Sequence, residues 1–481
     1  MGATVVQLTE STKQVQQTHR IFQNQKKAFR NNPMPSLAER QENLKRLKRA
    51  LLTNQDRLLE AIDRDFGCRS RDESLIAEIM PSIQSINYTL KNLSRWMKPS
   101  KRQVSILFQP ASNHVHYQPK GVVGVIAPWN YPLYLAVGPL VASLAAGNRT
   151  MIKMSEFTPR TAALFKEIIE VAFPEDLVSV IIGEAEVAAD FSSLPLDHLL
   201  FTGSTSVGKL VMRAAAENLT PVTLELGGKS PAILSPDVPM KDAAQRIAFG
   251  KAFNAGQTCV APDYILCPAD RVQAFVEEFQ AQFSEMYPSL RDNDDYTAII
   301  NERQYERLQK YIEDARAKGA EIIEINPARE DLTDGTRKIP LTLILKTTPD
   351  MKVMQDEIFG PLLPVISYGS LDEAIHYIND RPHPLALYFF GYDKDQQQHV
   401  IDNTHSGGMC INDSLMHVAQ DDLPFGGVGD SGMGHYHGKE GFMTFSHHRA
   451  VFSKQKFNSG KFVYAPHGSA AHKLVYKLFI R

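Results

Sequence analysis

One cysteine lies where a thiol could act on a substrate. Cys259 stands in the stretch FNAGQTCVAP, residues 253–262, among small and polar side chains rather than in an apolar run. Catalytic thiols react as thiolates, and a free cysteine with a pKa of about 8.5 is only partly ionised at neutral pH. Such a site also needs a base or a positive field, and donors for the oxyanion that forms on attack. Taken alone, the stretch is more typical of a structural cysteine, so the rest of the chain must decide.

The composition argues against binding to nucleic acid. The 481 residues predict roughly two or three domains, and 52 Lys and Arg balance 54 Asp and Glu, which leaves no basic surface for a polyanion. Residues 1–23 lack the apolar segment of a signal peptide, and no run of about 18 apolar residues occurs. The cysteines are too widely spaced for a disulfide framework or a zinc site; they are Cys68, Cys259, Cys267 and Cys410. A cytoplasmic protein with no transmembrane segment is predicted.

The hydrophobic pattern predicts an α/β fold. Residues 11–96 have helical spacing, and residues 103–119 alternate loosely, as one or two strands of an arm to another domain or subunit would. Strands then alternate with helices, which is typical of a doubly wound, mostly parallel sheet with a nucleotide at its carboxyl edge. The strands of this sheet are predicted at 122–126, 150–153, 178–182, 198–201 and 222–226. A second α/β unit follows residue 227, with strands at 265–267, 322–323, 385–391 and 407–412 and helices at 242–253, 272–286 and 303–318.

A glycine turn between a strand and a helix is a candidate pyrophosphate site. Residues 203–208 read GSTSVG, so Gly203, Ser204 and Gly208 stand where a helix N-terminus could face an anion. The pattern is GxTxxG rather than GxGxxG, and an ordinary strand-to-helix turn is an open alternative. Lys153 and Glu156, at the end of a predicted strand, could hydrogen-bond the hydroxyls of an adenine ribose.

Six stretches, in order along the whole chain, resemble the aldehyde dehydrogenase superfamily. The stretches are PWNYP (128–132), FTGSTSVG (201–208), LELGGKSP (224–231), NAGQTC (254–259), EIFGP (357–361) and PFGGVG (424–429). Glu225 and Cys259 also have the family's separation of 34 positions. Residues 434–439 (GHYHGK) and 444–447 (TFSH) resemble the class 3 branch, and residues 416–422 (MHVAQDD) resemble bacterial coniferyl-aldehyde dehydrogenases. Met154 departs from the family, which usually has proline there, and this leaves the ribose geometry open.

The resemblance implies a role for each catalytic residue. Cys259 would attack the aldehyde carbonyl as a thiolate, and Asn130 would donate its amide to the oxyanion together with the Cys259 backbone N–H. Glu225 would activate the water that hydrolyses the thioester, and could first assist the thiol.

The resemblance also implies NAD as cofactor, with NADP as a second candidate. Glu357 would bind the nicotinamide ribose and Phe359 would flank that half. The Gly203–Gly208 turn, with Ser204, would hold the pyrophosphate. Lys153 and Glu156 would hold the adenine ribose. No metal site is predicted, and the grouped histidines are interpreted as structural; they are His435, His437, His447 and His448.

The domain division and assembly follow from the same resemblance. Residues 1–102 and 120–225 would form the NAD(P)-binding domain, and residues 226–422 the catalytic domain. Residues 103–119 and 442–481 would be a small β oligomerisation arm and bridging elements that join two subunits into a homodimer. The tail at 471–481 could be an amphipathic helix at a membrane surface, but docking on the protein's own surface is the favoured interpretation.

Two rival functions are considered. A CoA-acylating aldehyde dehydrogenase also needs the cysteine, but generally lacks the acidic base at the position of Glu225. A structural protein with the same fold would not need Cys259, Glu225 and Asn130 together. The predicted reaction is therefore oxidation of a small-molecule aldehyde to the free acid. Both aromatic substrates, such as coniferyl aldehyde, and medium- or long-chain aliphatic ones fit an apolar tunnel, which Trp129, Tyr131 and Phe425 could line.

Overall fold

The computed structural model describes residues 10–333 and 335–480. Its strands, in chain order, are β1 (Ser100–Arg102), β2 (Ala111–Pro119), β3 (Val122–Ile126), β4 (Arg149–Lys153), β5 (Val178–Ile181), β6 (His198–Thr202), β7 (Val222–Glu225), β8 (Pro231–Leu234), β9 (Tyr264–Pro268), β10 (Glu321–Ile325), β11 (Leu341–Leu345), β12 (Leu362–Tyr368), β13 (Ala386–Phe390), β14 (Gly408–Ile411), β15 (Gly432–Met433) and β16 (Ser446–Lys454).

The α-helices pack on and between these sheets. They are α1 (Glu10–Asn31), α2 (Leu37–Thr53), α3 (Gln55–Phe66), α4 (Arg71–Ser74), α5 (Met80–Trp96), α6 (Tyr134–Ala146), α7 (Pro159–Ala172), α8 (Ala185–Ser192), α9 (Thr205–Ala216), α10 (Met240–Ala252), α11 (Val272–Met286), α12 (Glu302–Ala317), α13 (Lys352–Gln355), α14 (Leu371–Asn379), α15 (Lys394–Asn403), α16 (Gly438–Thr444) and α17 (Ala470–Phe479). None of the helices in the described ranges combines the length and hydrophobicity needed to cross a membrane.

The first sheet is the predicted doubly wound sheet. Its order is β15-β7-β6-β3-β4-β5, and all pairs are parallel except β15 with β7. The chain runs outward from β3 on both sides, first through β4 and then through β6. Strands β3 and β6 are buried along their whole length because helices cover both faces. A crevice for a ligand is expected beside β3, where the strand order reverses.

The second sheet has the order β10-β11-β12-β9-β8-β13-β14, with β10 antiparallel to β11 and the other pairs parallel. Three of its strands, β8, β11 and β12, were not predicted from the sequence. Proline explains two of these misses, because β8 begins at Pro231 and β12 contains Pro364. Proline lacks a ladder donor and usually marks a strand edge or a turn.

A three-stranded antiparallel sheet, β1-β2-β16, forms the arm. Strand β2 pairs with β16 over nine residues, from Ala111 opposite Lys454 to Pro119 opposite Ser446. The arm therefore begins at Ser100, slightly before the predicted 103–119, and its third strand comes from within the predicted 442–481 range.

The tail helix α17 corrects one prediction. His472 is 3% exposed, but its contacts are with His467, Ser469 and Tyr476 of the same tail, and Leu474 and Leu478 are 58% and 62% exposed. The helix packs against the neighbouring 3₁₀ turn, Ser459–Val463, and leaves its apolar face uncovered. Residues 1–9 of the predicted first domain and Arg481 of the tail lie outside the described residues.

Candidate active site

A cavity of about 800 Å³ opens at the carboxyl ends of β3, β4, β6 and β7. It lies where the strand order reverses, which is the usual ligand crevice of an open α/β sheet. Its lining includes all the predicted site residues except Gly208, namely Asn130, Lys153, Glu156, Gly203, Ser204, Glu225, Cys259, Glu357 and Phe359.

The loop before Cys259 has an unusual backbone. After α10 ends at Ala252, Asn254 and Ala255 have φ of 51° and 50°, in the left-handed region that non-glycine residues seldom adopt. Gly256 continues this turn at φ 71°, and a Cβ there would overlap the Gly360 carbonyl. Such conformations cost about 1–3 kcal/mol each and persist only where the surroundings impose them.

Buried amide side chains impose that conformation. Gln257 donates to the carbonyls of Asn254 and Ala298, both at 3.1 Å, and accepts from the Ile300 N–H at 3.0 Å. The Asn254 amide donates in turn to the Gln257 carbonyl at 3.1 Å. Gln257 and Asn254 are both fully buried. The loop thus presents Cys259, which is half-buried, at the cavity wall.

The surroundings of Cys259 favour the neutral thiol. Its pKa is raised to about 12, chiefly by burial and then by the nearby carboxyl groups of Glu357 and Glu225. The backbone N–H groups of Cys259 and Val260 act in the opposite direction. Since only the thiolate is nucleophilic, reaction at neutral pH requires a base or a positive charge near the thiol.

Asn130 lies in the turn after β3 and is 3% exposed. Its side-chain nitrogen donates to the Gln257 carbonyl at 3.2 Å. An amide nitrogen carries two hydrogens, so the second N–H can serve another acceptor in the cavity. The Asn130 carbonyl accepts from Arg69 at 3.0 Å and from Asn254 at 3.1 Å. The turn is therefore tied directly to the cysteine loop.

Glu225 is the last residue of β7 and is 2% exposed. Neither of its carboxyl oxygens has a hydrogen-bond partner among residues 10–333 and 335–480. Burial raises its pKa well above the ordinary value, because no nearby cation compensates for lost hydration. A carboxyl group in this state can exchange a proton near neutral pH.

The glycine loop at 424–432 closes the wall beside Glu225. Gly432, in β15, stands opposite Glu225 in the antiparallel pair, and its φ is 141°. A Cβ on Gly432 would overlap the Leu224 carbonyl, and one on Gly427 would overlap Ser431. Only glycine allows the loop to pack this tightly against β7, which explains the run of glycines in this motif.

Glu357 and Phe359 also line the cavity. A Cβ on Gly227 would overlap the Glu357 carboxyl group, and the Glu357 Oε1 is buried without a partner in the described part of the chain. Burial raises the Glu357 pKa to about 8, and Asp263 adds to this shift. The Phe359 ring lies edge-on to Trp129, with centroids 5.2 Å apart. Trp129 also lines the cavity, whereas Tyr131 and Phe425 are buried away from its lining.

The predicted pyrophosphate turn has two distinct parts. Ser204 caps helix α9, and its hydroxyl accepts the Val207 N–H at 3.4 Å, so the helix N-terminus faces the cavity. Gly208 instead contacts the sheet, because a Cβ there would lie 2.7 Å from the Leu226 side chain. Gly208 thus allows close packing of helix on strand, the role of the third glycine in dinucleotide fingerprints.

Lys153 and Glu156 lie at the end of β4. The Lys153 ammonium donates to the Met154 carbonyl at 2.7 Å and lies 3.9 Å from the Glu156 carboxylate. Burial lowers the Lys153 pKa, while Glu156 opposes that shift. Met154 donates its own N–H to the Ile181 carbonyl at 3.1 Å, a bond that proline could not make. The departure from the usual proline therefore adds a bond to β5.

Comparison with known proteins now decides the family. The family model for the aldehyde dehydrogenase family matches residues 2–451. This chain belongs to the aldehyde dehydrogenase family. A probable coniferyl aldehyde dehydrogenase of Pseudomonas aeruginosa is 59% identical to it over 481 residues, 100% of both chains. Aldehyde dehydrogenase family 3 member A2 of Mus musculus is 40% identical, covering 89% of this chain and 87% of the relative. The predicted family and its class 3 branch are confirmed.

Solved structures of aldehyde dehydrogenases share the whole fold. The substrate-bound state of Staphylococcus aureus AldH has a TM-score of 0.91 at 39% identity and covers 96% of this chain and 99% of that chain. The Mycobacterium tuberculosis aldehyde dehydrogenase complexed with NAD+ has a TM-score of 0.83 at 30% identity, covering 92% and 91%. The predicted α/β fold is confirmed, and the protein is an oxidoreductase that acts on aldehydes.

Several residues at the aldehyde dehydrogenase cavity were missed from the sequence. Arg303 and Arg307 line it, and Arg307 donates to the Ile358 carbonyl at 2.7 Å. The Arg303 guanidinium lies 4.9 Å from the centroid of the Phe157 ring. The two arginines are four residues apart in a predicted helix and so share one face, a signal that could have revealed them. Gln257, which holds the cysteine loop through buried hydrogen bonds, was also missed, because no spacing in the sequence indicates those bonds.

The histidines near the carboxyl end form ring contacts. His437 is 6% exposed and stacks on Phe425 with centroids 4.9 Å apart, and burial lowers its pKa to about 3. His448 lies edge-on to Tyr117 at 5.3 Å. Within the described ranges, no group of three or more His, Cys, Asp or Glu side chains could hold a metal ion.

Proposed function

We propose that this enzyme oxidises an aldehyde to the free carboxylic acid with NAD, and more slowly with NADP, through a thioester on Cys259. The observation that carries the proposal is that one cavity holds a thiol, the Asn130 amide and a buried carboxyl group at one end. The same cavity is also lined by a helix N-terminus and a lysine–carboxylate pair. Nucleophile, oxyanion donor, base and dinucleotide site are thus placed along a single crevice.

The residues of the cavity fit a dinucleotide. Two polar atoms that line it, Glu357 Oε1 and Thr202 Oγ1, are buried and lack partners in the described part of the chain. The N-terminus of α9, capped by Ser204, suits a pyrophosphate. Lys153 and Glu156 suit the hydroxyls of the adenine ribose. When bound, the dinucleotide supplies the two-electron oxidant for the reaction. The aldehyde dehydrogenase of Mycobacterium tuberculosis complexed with NAD+ supports this choice.

Cys259 is the proposed nucleophile. Its sulfur forms a bond to the aldehyde carbon, and the carbonyl oxygen gains the negative charge. The free N–H of Asn130 and the backbone N–H of Cys259 donate to that oxygen. Removing one such donor typically lowers the rate about 10²- to 10³-fold. Oxidation leaves the acyl group on Cys259 as a thioester.

Glu225 is the proposed base for the second half of the reaction. It takes a proton from the water that attacks the thioester carbon, and the acid and the free thiol are released. The raised pKa of Glu225 makes it a stronger base than an exposed glutamate. Its position at the cavity, opposite the glycine loop, separates this enzyme from CoA-acylating relatives that lack the acidic base.

The proposed substrate class is aromatic aldehydes of the coniferyl type. The support is the name of the Pseudomonas aeruginosa relative, which matches this chain from end to end. Medium- and long-chain aliphatic aldehydes are the alternative, since class 3 membership does not restrict the acyl group.

We also propose the assembly and the domain division. Residues up to 102 and 120–225 would bind NAD(P), residues 226–422 would carry the catalytic cysteine, and the arm would join two subunits into a homodimer in the cytoplasm. The exposed strand β16 and the uncovered face of α17 support a contact there. Light scattering at micromolar concentration should give the mass of a dimer, and a stable monomer would contradict this assembly.

Product analysis tests the function. Purified enzyme is incubated with coniferyl aldehyde, benzaldehyde, hexanal or decanal, with NAD or NADP, and with or without CoA. The expected product is the free acid whether or not CoA is present, with the highest kcat/KM for coniferyl aldehyde and NAD. The variant Cys259→Ala should lose turnover while keeping its affinity for NAD. Acyl-CoA as the main product, or substantial aldehyde oxidation by Cys259→Ala, would contradict the proposal.

A further inference from the structure

A buried cluster of charged residues lies directly behind the catalytic loops. Arg69 and Glu78 form an ion pair with N–O distance 3.0 Å, and both side chains are fully buried. Glu73, on α4, is 8% exposed and stands in the same region. These three residues come from the amino-terminal helical segment, far in sequence from Cys259, and the proposed mechanism does not use them.

Arg69 contacts the Asn130 turn in two ways. Its Nη1 donates both to Glu78 and to the Asn130 carbonyl, each at 3.0 Å. Its guanidinium also lies 4.9 Å from the centroid of the Tyr131 ring. The Tyr131 hydroxyl is 2.6 Å from the hydroxyl of Thr258, the neighbour of Cys259. Arg69 therefore contacts the Asn130 turn directly and is linked through Tyr131 to the neighbour of Cys259.

Glu78 fixes the end of the same turn. Its second oxygen accepts the backbone N–H groups of Leu133 and Tyr134, at 2.8 and 2.9 Å, where helix α6 begins. Glu78 lies in a π-helical turn, Leu75–Ile79, between α4 and α5. Such turns are rare and frequently occur at functional sites.

Glu73 holds the other half of the site. One of its oxygens accepts the Asn254 N–H, in the left-handed turn of the cysteine loop, and the other accepts the Thr297 hydroxyl at 2.7 Å. Burial raises the pKa of both Glu73 and Glu78, and the Arg69 charge opposes both shifts. All the hydrogen bonds of the two carboxyl groups are accepted, as expected of carboxylates.

We propose that Arg69, Glu73 and Glu78 are positioning residues for the oxyanion site, and that they hold the Asn130 turn and the cysteine loop in one fixed arrangement. Buried ion pairs contribute little net stability compared with apolar residues, so geometry is the stronger reason for this cluster. Each of the two loops contributes one of the proposed oxyanion donors. A displacement of about 1 Å between such groups can lower the rate about 10²-fold. The inference rests on the proposed function, since it assigns a purpose to the contact with Asn130.

The test combines Arg69→Lys with Asn130→Ala in a double-mutant cycle. Lysine keeps the charge but loses the planar group that bridges Glu78, Asn130 and the Tyr131 ring. Arg69→Lys should lower kcat about 10²-fold while the NAD dissociation constant changes by less than about threefold. In the Asn130→Ala background the same change should lower kcat by less than about threefold, because the residue acts through that turn.

Arg40→Lys is the matched control. Arg40 is also a buried arginine, 1% exposed, and donates to the Ala145 carbonyl at 3.0 Å, at the opposite end of α6. The variant Arg40→Lys should lower the melting temperature while leaving kcat within about twofold of wild type. If Arg69→Lys does not yield folded protein, Glu78→Gln takes its place in the cycle. Its amide oxygen can still accept the N–H groups at the start of α6, while its NH₂ group cannot pair with Arg69.

The outcomes separate the two proposals. Equal kcat values for Arg69→Lys and Arg40→Lys, or multiplicative losses in the cycle with Asn130→Ala, would overturn the positioning role alone. A wild-type rate for Asn130→Ala would overturn the oxyanion assignment, and the positioning role with it. A large loss that disappears in the Asn130→Ala background supports both.

Discussion

Polar groups are satisfied differently at the proposed catalytic end of the cavity, around Glu225 and Glu357, and at the proposed ribose end, around Lys153 and Glu156. At the catalytic end Glu225 is buried with neither oxygen paired in the described residues, and Glu357 has one unpaired oxygen. At the ribose end the Lys153 ammonium is paired with the Met154 carbonyl, and Glu156 is 29% exposed. Burial raises the pKa of both Glu225 and Glu357. We expect the protonation state of the carboxyl groups to control the reaction at the first end. Charge and hydrogen bonding should control the choice of cofactor at the second.

The difference has a structural origin. Glycines at 227 and 432 let backbone and carboxyl groups approach closely at the catalytic end, which buries Glu225 and Glu357. The ribose end opens between β4 and helix α8, where solvent screens charges. Substitutions of the same kind should therefore have large effects at one end and small effects at the other.

The largest effect is expected from Glu225→Gln. Glutamine keeps the shape of the side chain but cannot take a proton from water, so the steady-state rate should fall about 10²- to 10⁴-fold. Attack by Cys259 and the oxidation itself do not strictly require this carboxylate. Rapid mixing should therefore show a burst of NADH approaching one per active site, and mass spectrometry should find an acyl adduct on Cys259.

Two other results would reassign Glu225. A variant with neither burst nor adduct would place the carboxyl group in the first step, as the base that takes the thiol proton. Full activity would remove it from the mechanism. Glu217→Gln serves as control, because Glu217 follows α9 at the surface and should leave both phases unchanged.

A smaller effect, which changes steadily with pH, is expected in the rate at which iodoacetamide alkylates Cys259. In the cofactor-free enzyme its pKa is raised to about 12 by burial and by the two carboxyl groups. Only the thiolate reacts, and well below the pKa its fraction falls tenfold for each unit that the pH falls. The rate should therefore rise with pH between about pH 6 and about pH 9, but by less than tenfold per unit, because Glu357, with a pKa of about 8, gains its charge in this range and raises the thiol pKa.

The alkylation rate of Cys259 in variants also compares the two ends of the cavity. Glu225→Gln removes one of the charges that raise this pKa, so Cys259 should react faster than in wild type at equal pH. Glu156→Gln should leave the rate unchanged. Peptide mass spectrometry separates Cys259 from the other cysteines. A rate that levels off below about pH 8 would show that the resting thiol is already activated.

The catalytic end was more predictable from sequence than the contacts that hold it. Cys259, Glu225 and Asn130 occur in motifs whose order and spacing resemble one family, and the structure brings all three to one cavity. The unpaired state of Glu225 could not be predicted, because it depends on the loop around Gly432, more than 200 positions away. The five parallel strands of the first sheet were predicted nearly to the residue, since short apolar runs alternate there with helices, whereas the two-residue strand β15 was missed.

Other parts of the fold carried weaker signals. Gly208 was expected at the pyrophosphate, yet it contacts Leu226, because a pattern cannot separate a glycine that faces a ligand from one that faces a strand. The face of α17 was expected to dock, but nothing in its spacing tells which surface covers it. The roles of the ten site residues in catalysis and cofactor binding stay predictions, as do the homodimer and the domain boundaries.

The smallest effect is expected from Glu156→Gln at the ribose end. The wild-type carboxylate lies 3.9 Å from the Lys153 ammonium and lines the cavity. It would accept a hydrogen bond from a ribose hydroxyl and repel a 2′-phosphate, so NAD should be preferred and NADP still used. Because the group is partly exposed, solvent weakens the repulsion to about 1 kcal/mol.

That energy corresponds to a rise of about fivefold in the ratio of kcat/KM for NADP to kcat/KM for NAD. Two contributions act in the same direction, since the amide no longer repels the phosphate and binds the ribose hydroxyl less strongly. Glu184→Gln is the control, because Glu184 also acts on the Lys153 charge but does not line the cavity. An unchanged ratio in Glu156→Gln would show that Glu156 does not face the ribose. An equal rise in both variants would mean that the general field at Lys153, and not contact with the ribose, sets the cofactor preference.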